Sequence, residues 1–519
     1  MKTRLLLVFC LILATAQAGF PYAEATIAGL QEQMKSGQLT SSSLTAAYLA
    51  RIAEIDRAGP RLNAIIELNP DATAIARQLD AERSAGHVRG PLHGIPVLLK
   101  DNIATADKME TTAGSLALVG AKPPQDAVIV AQLRAAGAVI LGKTNLSEWA
   151  NFRGEKSISG WSARGGQTHN PYALDRNTSG SSSGSAAAVA ANLCVVAVGS
   201  ETDGSIVSPA SVCGLVGIKP TVGLLSRTGI IPISASQDTA GPMARTVRDA
   251  ALLLEAMAAV DPRDAVTQSR PAGLATAYAA QLQPGALKGA RLGVIRGPFG
   301  LDARLKPLLD AAIARMQAAG AEITDLGEFP DFNKANDPEM EVLLYEYKDG
   351  LNAYFATLGP ASPIKSLADV IAFNTAHAGK ELPYFGQELM VKAQAKGPLT
   401  EPAYLDARAT CLKVTRTDGI DALLAKHKLD ALVSLTNGTA WLIDPVNGDA
   451  YTGGSSSPAA VAGYPSVTVP AGDYHGLPVG LSFYGAAWTE ARLLSLAADF
   501  EAATKARREP LFRPTLGSN

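Results

Sequence analysis

SGSSSGSAAAVAANLCVVAVGSETDGSIVSPASVCGLVGIKP, residues 179–220, is the stretch on which the reading of this chain turns. It carries two Gly/Ser turns, one at 180–184 and one at 202–205, on either side of a helix–strand pair. Residues 186–191 are small and apolar, as a tightly packed helix requires. Residues 194–199 are rich in valine and predict a buried strand. Glycine tolerates the backbone angles that make several N–H groups converge on one point. Such a convergence suits a developing oxyanion, and a serine hydroxyl in each turn could supply a nucleophile and a proton relay.

Serine is a weak nucleophile without an adjacent base. The six histidines (87, 93, 169, 377, 427 and 475) are scattered through the chain and stand in no triad context. Upstream, however, the apolar run at 97–99 reads as a short buried strand that delivers Lys100, followed by Asp101 and Asn102. Burial disfavours an ammonium ion, so a lysine held among apolar atoms can lose its proton near neutral pH and act as a base.

Further out, helical patterns and apolar runs alternate. Helices are expected at 71–86, 126–136 and 304–319, and strands at 138–142 and 430–434. This alternation predicts an α/β fold with a mostly parallel or mixed sheet covered by helices on both faces. Apolar residues make up 47% of the chain and charged residues 18%, enough for a large core; the formal charge of −2 argues against a nucleic-acid partner. No His/Cys cluster has metal-ligand spacing, and no cofactor is expected. The cysteines at 194 and 213 sit in small apolar runs, where a buried free thiol is the default.

Taken together these pieces resemble the amidase signature family of Ser-Ser-Lys hydrolases. The resemblance extends to Gly94-Ile95-Pro96 ahead of Lys100, to residues 142–149 (GKTNLSEW), and to residues 462–470 (AGYPSVTVP) and 476–481 (GLPVGL) near the end. It therefore implies one amidase domain over 19–519, built on a central mixed β-sheet. It implies Ser205 as nucleophile, Ser181 as bridging serine after a cis peptide bond, and Lys100 as base. The backbone N–H groups of Thr202, Asp203, Gly204 and Ser205 would form the oxyanion hole, with Ser182 in a supporting hydrogen-bonding role. Many members have two glycines before the nucleophile; this chain has Asp203-Gly204. That variant resembles the bacterial peptide amidases, which implies hydrolysis of peptide C-terminal amides with no cofactor and no obligate protein partner. A general acylamide or aryl-acylamide hydrolase, the glutaminase component of a tRNA-dependent amidotransferase, and a non-catalytic binding protein on the same fold are the alternatives. Substrate-pocket walls are expected at 301–400 and 436–455, with a contribution from 151–170.

The first 18 residues read as an export signal: Lys2 and Arg4, an apolar run at 5–13, and Ala16-Gln17-Ala18 as a cleavage site. A periplasmic or extracellular, membrane-free mature protein is the expectation. Three local motifs are decoys. Gly180-Ser181-Ser182-Ser183-Gly184 matches G-x-S-x-G but lacks a preceding strand, Ser362-Pro363-Ile364-Lys365 matches S-x-x-K without its partner motif, and the sequons at Asn145, Asn177 and Asn437 are expected to be coincidental.

Overall fold

A computed structural model describes residues 20–296 and 302–517; the expected leader lies outside them. Thirteen strands are present among the described residues. The first three are β1 (Ile65–Leu68), β2 (Pro96–Lys100) and β3 (Val139–Thr144), followed by a small hairpin of β4 (Trp161–Ser162) and β5 (Gly166–Gln167). Next come β6 (Val196–Glu201), β7 (Val216–Lys219), β8 (Thr239–Ala244), β9 (Arg291–Ile295) and β10 (Glu322–Gly327). The last are β11 (Ala431–Leu435), β12 (Ser466–Tyr474) and β13 (Leu477–Tyr484). All but the hairpin join one 11-stranded sheet in the order β1-β3-β2-β6-β8-β7-β12-β13-β11-β9-β10.

The sheet is mixed. β3, β2 and β6 run parallel, as do β11, β9 and β10, and the strands between β6 and β11 pair antiparallel. Every residue of β2, β3, β6, β7, β8, β11 and β13 is buried, as a sheet covered on both faces demands. Helices supply the cover, among them Ser183–Ala190, Val247–Met257, Lys306–Ala318 and Glu490–Thr504. The last of these extends an apolar core that begins at Ile27 and reaches Phe500. A second apolar cluster lies apart from that core: Trp149 and Phe152 pack with the helices Asn333–Thr357, Leu367–Ala376 and Glu388–Gln394. Among the described residues no helix is long and apolar enough to cross a membrane.

The expected strand at 194–199 lies two residues later, at Val196–Glu201. Gly199 and Ser200 pair with Gly241 and Ala240 of β8, so the ladder continues through polar sequence that carries no apolar signal. A side chain at Gly199 would come within 2.7 Å of Ser182 Oγ. Cys194, Cys213 and Cys411 are buried free thiols, and burial pushes those of Cys194 and Cys411 up to about 12.

Candidate active site

β2 and β6 are parallel neighbours, and the chain leaves each of them at the same end. Lys100 is the last residue of β2, and the turn after Glu201 carries residues 202–205. The helix Ser183–Ala190 starts beside them, directly after Ser181. Three residues that are 81 and 24 positions apart in the chain are thereby delivered to one place.

Lys100 is fully buried. Its Nζ lies 2.7 Å from Ser181 Oγ, 2.9 Å from Ser200 Oγ and 3.1 Å from the Ser200 carbonyl oxygen. Burial pushes the amine down to about 7, against the opposing pull of Asp238 and Glu201. A neutral lysine has two N–H groups and one lone pair. The Ser200 carbonyl can only accept, and the Ser200 hydroxyl also accepts from Asn102 Nδ2 at 2.9 Å. When both N–H groups point to Ser200, the lone pair is left for the Ser181 hydroxyl. The Gly180–Ser181 peptide is cis. A side chain at Gly180 would lie 2.1 Å from Ser147 Oγ, so any larger residue would have to displace that hydroxyl.

The turn at 202–205 is held from three sides. The Glu201 carboxylate accepts from the N–H groups of Ile206 (2.7 Å) and Val207 (3.0 Å), tying both ends of the turn together. Thr202 Oγ1 donates to Asp238 at 2.6 Å, and Asp238 accepts in turn from the Ile233 and Ser234 amides. Asp203 accepts from Ser456 Oγ at 2.6 Å and is hydrogen-bonded to Glu339, whose carboxyl burial and the Asp203 charge push well above its usual range. Gly204 has φ +79°, a left-handed conformation that favours glycine. The N–H groups of Asp203, Gly204 and Ser205 donate to no described residue. Unengaged amides in a rigid turn are what an oxyanion site requires.

Ser205 is 8% exposed and lines a cleft of about 600 Å³ together with Gly180, Thr202, Asp203, Asn151 and Glu339. Ser182 is buried and stitches the two turns together: its N–H donates to the Ser205 carbonyl, and its hydroxyl to the Ser200 carbonyl at 3.1 Å. The far wall comes from Met340, Leu343 and Leu389, inside the 301–400 stretch expected to shape the pocket. Trp441, Asp449 and Tyr451 line an adjoining cavity.

No strand leads directly into Ser182, the nearest before it being β5 at Gly166–Gln167, and Ser362 Oγ is spent on the Ile364 carbonyl. Asn145, Asn177 and Asn437 are buried, where no glycan could attach. Sequence reasoning missed Ser200, Glu201, Asp238 and Glu339. Ser200 and Glu201 lie inside the quoted stretch, but what they do depends on three-dimensional neighbours. Asp238 and Glu339 come from distant segments, and nothing local assigns them a role.

A family model described as Amidase matches residues 43–494. The native peptide amidase of Stenotrophomonas maltophilia is 55% identical with a TM-score of 0.91, over 95% of this chain and 99% of that one. A probable amidase of Arabidopsis thaliana is 42% identical, over 95% of this chain and 92% of the relative. A component of the glutamyl-tRNA(Gln) amidotransferase of Synechococcus is 35% identical, over 95% of each.

Proposed function

The chain belongs to the amidase family and hydrolyses amides, and on that premise we propose that it cleaves the C-terminal amide of peptides through an acyl-enzyme on Ser205. Neutral Lys100 accepts the Ser181 proton as Ser181 accepts that of Ser205. Ser205 Oγ attacks the amide carbonyl, and the N–H groups of the 202–205 turn hold the oxyanion. The relay returns a proton to the leaving nitrogen, the C–N bond breaks and ammonia departs. Water then attacks the ester, giving its proton to the same relay, and the acid and free Ser205 are released.

The observation that carries this reading is the hydrogen-bond set of Lys100. Two acceptors on Ser200 engage the N–H groups and direct the lone pair at Ser181. The likeness to the Stenotrophomonas peptide amidase and the Asp203-Gly204 variant support a peptide amide as substrate. Ammonia release from a panel of C-terminally amidated peptides, beside glutamine, acetamide and anilides, tests it. Peptide amides should be turned over best, and Ser205→Ala should lower kcat by at least about 10³-fold. Undiminished activity in that variant would remove Ser205 from the mechanism.

A further inference from the structure

Away from the Ser205 cleft, and sharing no lining residue with it, a cavity of about 550 Å³ opens beside the helix Pro402–Leu412. Two arginines line it. Arg408 lies one helical turn from Tyr404, on the same face of that helix, and Arg416 comes from the segment Lys413–Ile420. Arg416 gives its Nε–H to the Ala462 carbonyl at 2.8 Å and sits 5.0 Å from the centre of the Tyr464 ring. Its two terminal nitrogens, and all three nitrogens of Arg408, have neither a hydrogen bond nor an ion pair among the described residues. None of them is sealed: each keeps surface open to solvent, as does the unbonded Nε1 of Trp488 in the same wall. The cavity is lined by one carboxylate, Glu346, which is 3% exposed. Its oxygens already accept from the Tyr404 hydroxyl (2.7 Å), the Ser234 hydroxyl, and the N–H and hydroxyl of Ser236 (2.9 Å each). Asp421 accepts from the Tyr464 hydroxyl at 3.1 Å and acts on Arg416 from beyond ion-pair distance.

The chemistry narrows the occupant. Burial pushes the Arg416 guanidinium down from the usual arginine range, and the Arg408 charge pushes the same way. Two cations in one cavity oppose each other until an anion offsets them. A guanidinium presents paired N–H groups that match the oxygens of a phosphate. Two such groups supply more donors than the two oxygens of a carboxylate engage, and two positive charges call for two negative ones. We propose that this cavity binds a doubly charged tetrahedral oxyanion of the phosphate type, held by Arg408 and Arg416 with the Trp488 Nε1–H as a further donor. The same wall presents the rings of Tyr404 and Trp488, so the anion can be free phosphate or the head of an aryl phosphate. The site does not depend on the amidase reading.

Calorimetric titration of the protein with inorganic phosphate at about pH 8, at constant ionic strength, tests it. One phosphate should bind per chain, and acetate should bind at least about tenfold more weakly. Arg408→Gln and Arg416→Gln should each weaken phosphate about tenfold or more, through lost charge-assisted hydrogen bonds. Arg408 hydrogen-bonds to no described residue, so its exchange removes no hydrogen bond of the fold. Lys392→Gln, a change to the half-exposed cation of the Ser205 cleft, should leave phosphate binding intact. Phenyl phosphate is the second arm. Binding tighter than that of phosphate, and equally sensitive to Arg408→Gln, identifies the anion as the head of an aryl ester; binding no tighter identifies free phosphate. No saturable phosphate binding by the parent, acetate binding as tight as phosphate, or phosphate binding that survives both arginine changes overturns the proposal. So does loss of binding in Lys392→Gln with retention in Arg408→Gln, which would put the anion in the Ser205 cleft.

Discussion

Three lysines are fully buried among the described residues, and only Lys100 is hydrogen-bonded to the serines of the 180–205 segment. Lys143 donates to the carbonyls of Ile103 (2.7 Å) and Glu110 (3.1 Å) and to Thr111 Oγ1 (2.8 Å), which uses all three hydrogens of an ammonium. Lys219 donates to the Pro220 carbonyl and faces the carboxylates of Glu201 and Glu490, so its charge is compensated. Burial pushes both amines down to about 8, whereas Lys100 reaches about 7; the Thr111 hydroxyl beside Lys143 lies outside the lining of the Ser205 cleft, while the hydroxyl beside Lys100 is that of Ser181, next to Gly180 in that lining. In the proposed mechanism the active form is the neutral amine, present above its pKa. Thus kcat/KM for a neutral amide should rise tenfold per pH unit at low pH, bend near pH 7 and level off above it. A pH–rate profile checks this, and a bend near the ordinary lysine value would remove Lys100 from the role. Lys100 itself is legible in the sequence, because an apolar run leads straight into it. Ser200 is not, because half of what it does is done by its backbone carbonyl, which every residue possesses.

At the scale of elements, the wall opposite Ser205 hangs on one arginine. Arg153 is fully buried between the carboxylates of Glu148 and Glu381. Its guanidinium also donates to the carbonyls of Phe385 and Gly386 (3.2 Å each) and lies 3.9 Å from the centre of the Phe385 ring. It thereby pins the segment that leads into the helix Glu388–Gln394, which supplies Leu389 and Lys392 to the cleft. Burial pushes Glu148 up to about 8 even with Arg153 beside it. Arg153→Met would leave two buried carboxyls without their cation. It should cost about 3–5 kcal/mol of stability, read from the urea midpoint, and should raise KM as the wall loosens. A loss below about 1 kcal/mol would mean that the wall is held by its apolar packing alone. The loop holding Arg153 is legible in the sequence as a pocket contributor. The long helix Asn333–Thr357 is not, since its apolar stripe (Leu343, Leu344, Tyr347, Leu351, Tyr354 and Phe355) begins only at residue 343, and Ala335 and Val342 pack into another cluster.

Across the whole molecule, sequence order and spatial order part company. The α/β class is readable from alternating patterns, which leave the sheet mostly parallel or mixed, and the family resemblance implies the mixed sheet and the triad. The strand order is not readable, because antiparallel pairing between β7 and β12 is a contact between segments nearly half the chain apart. Either half of the chain, cut between them, would expose a long unpaired edge. The described chain should therefore unfold in one transition, with calorimetry and circular dichroism giving the same midpoint. Two resolved transitions would show that the halves are separately stable.

That same β7–β12 contact has a consequence for how the protein comes into being. β7 ends at Lys219 and its partner begins at Ser466. On a ribosome adding ~5–20 residues per second, roughly 12–50 s separate their synthesis. During that interval β7 has a neighbour, β8, on one side only. The nascent chain carries its serines, lysine and turn glycines, and the strands β2, β6 and β8 that place them, long before Ser456, whose hydroxyl braces Asp203 in the 202–205 turn, is made, so that turn is completed late in translation.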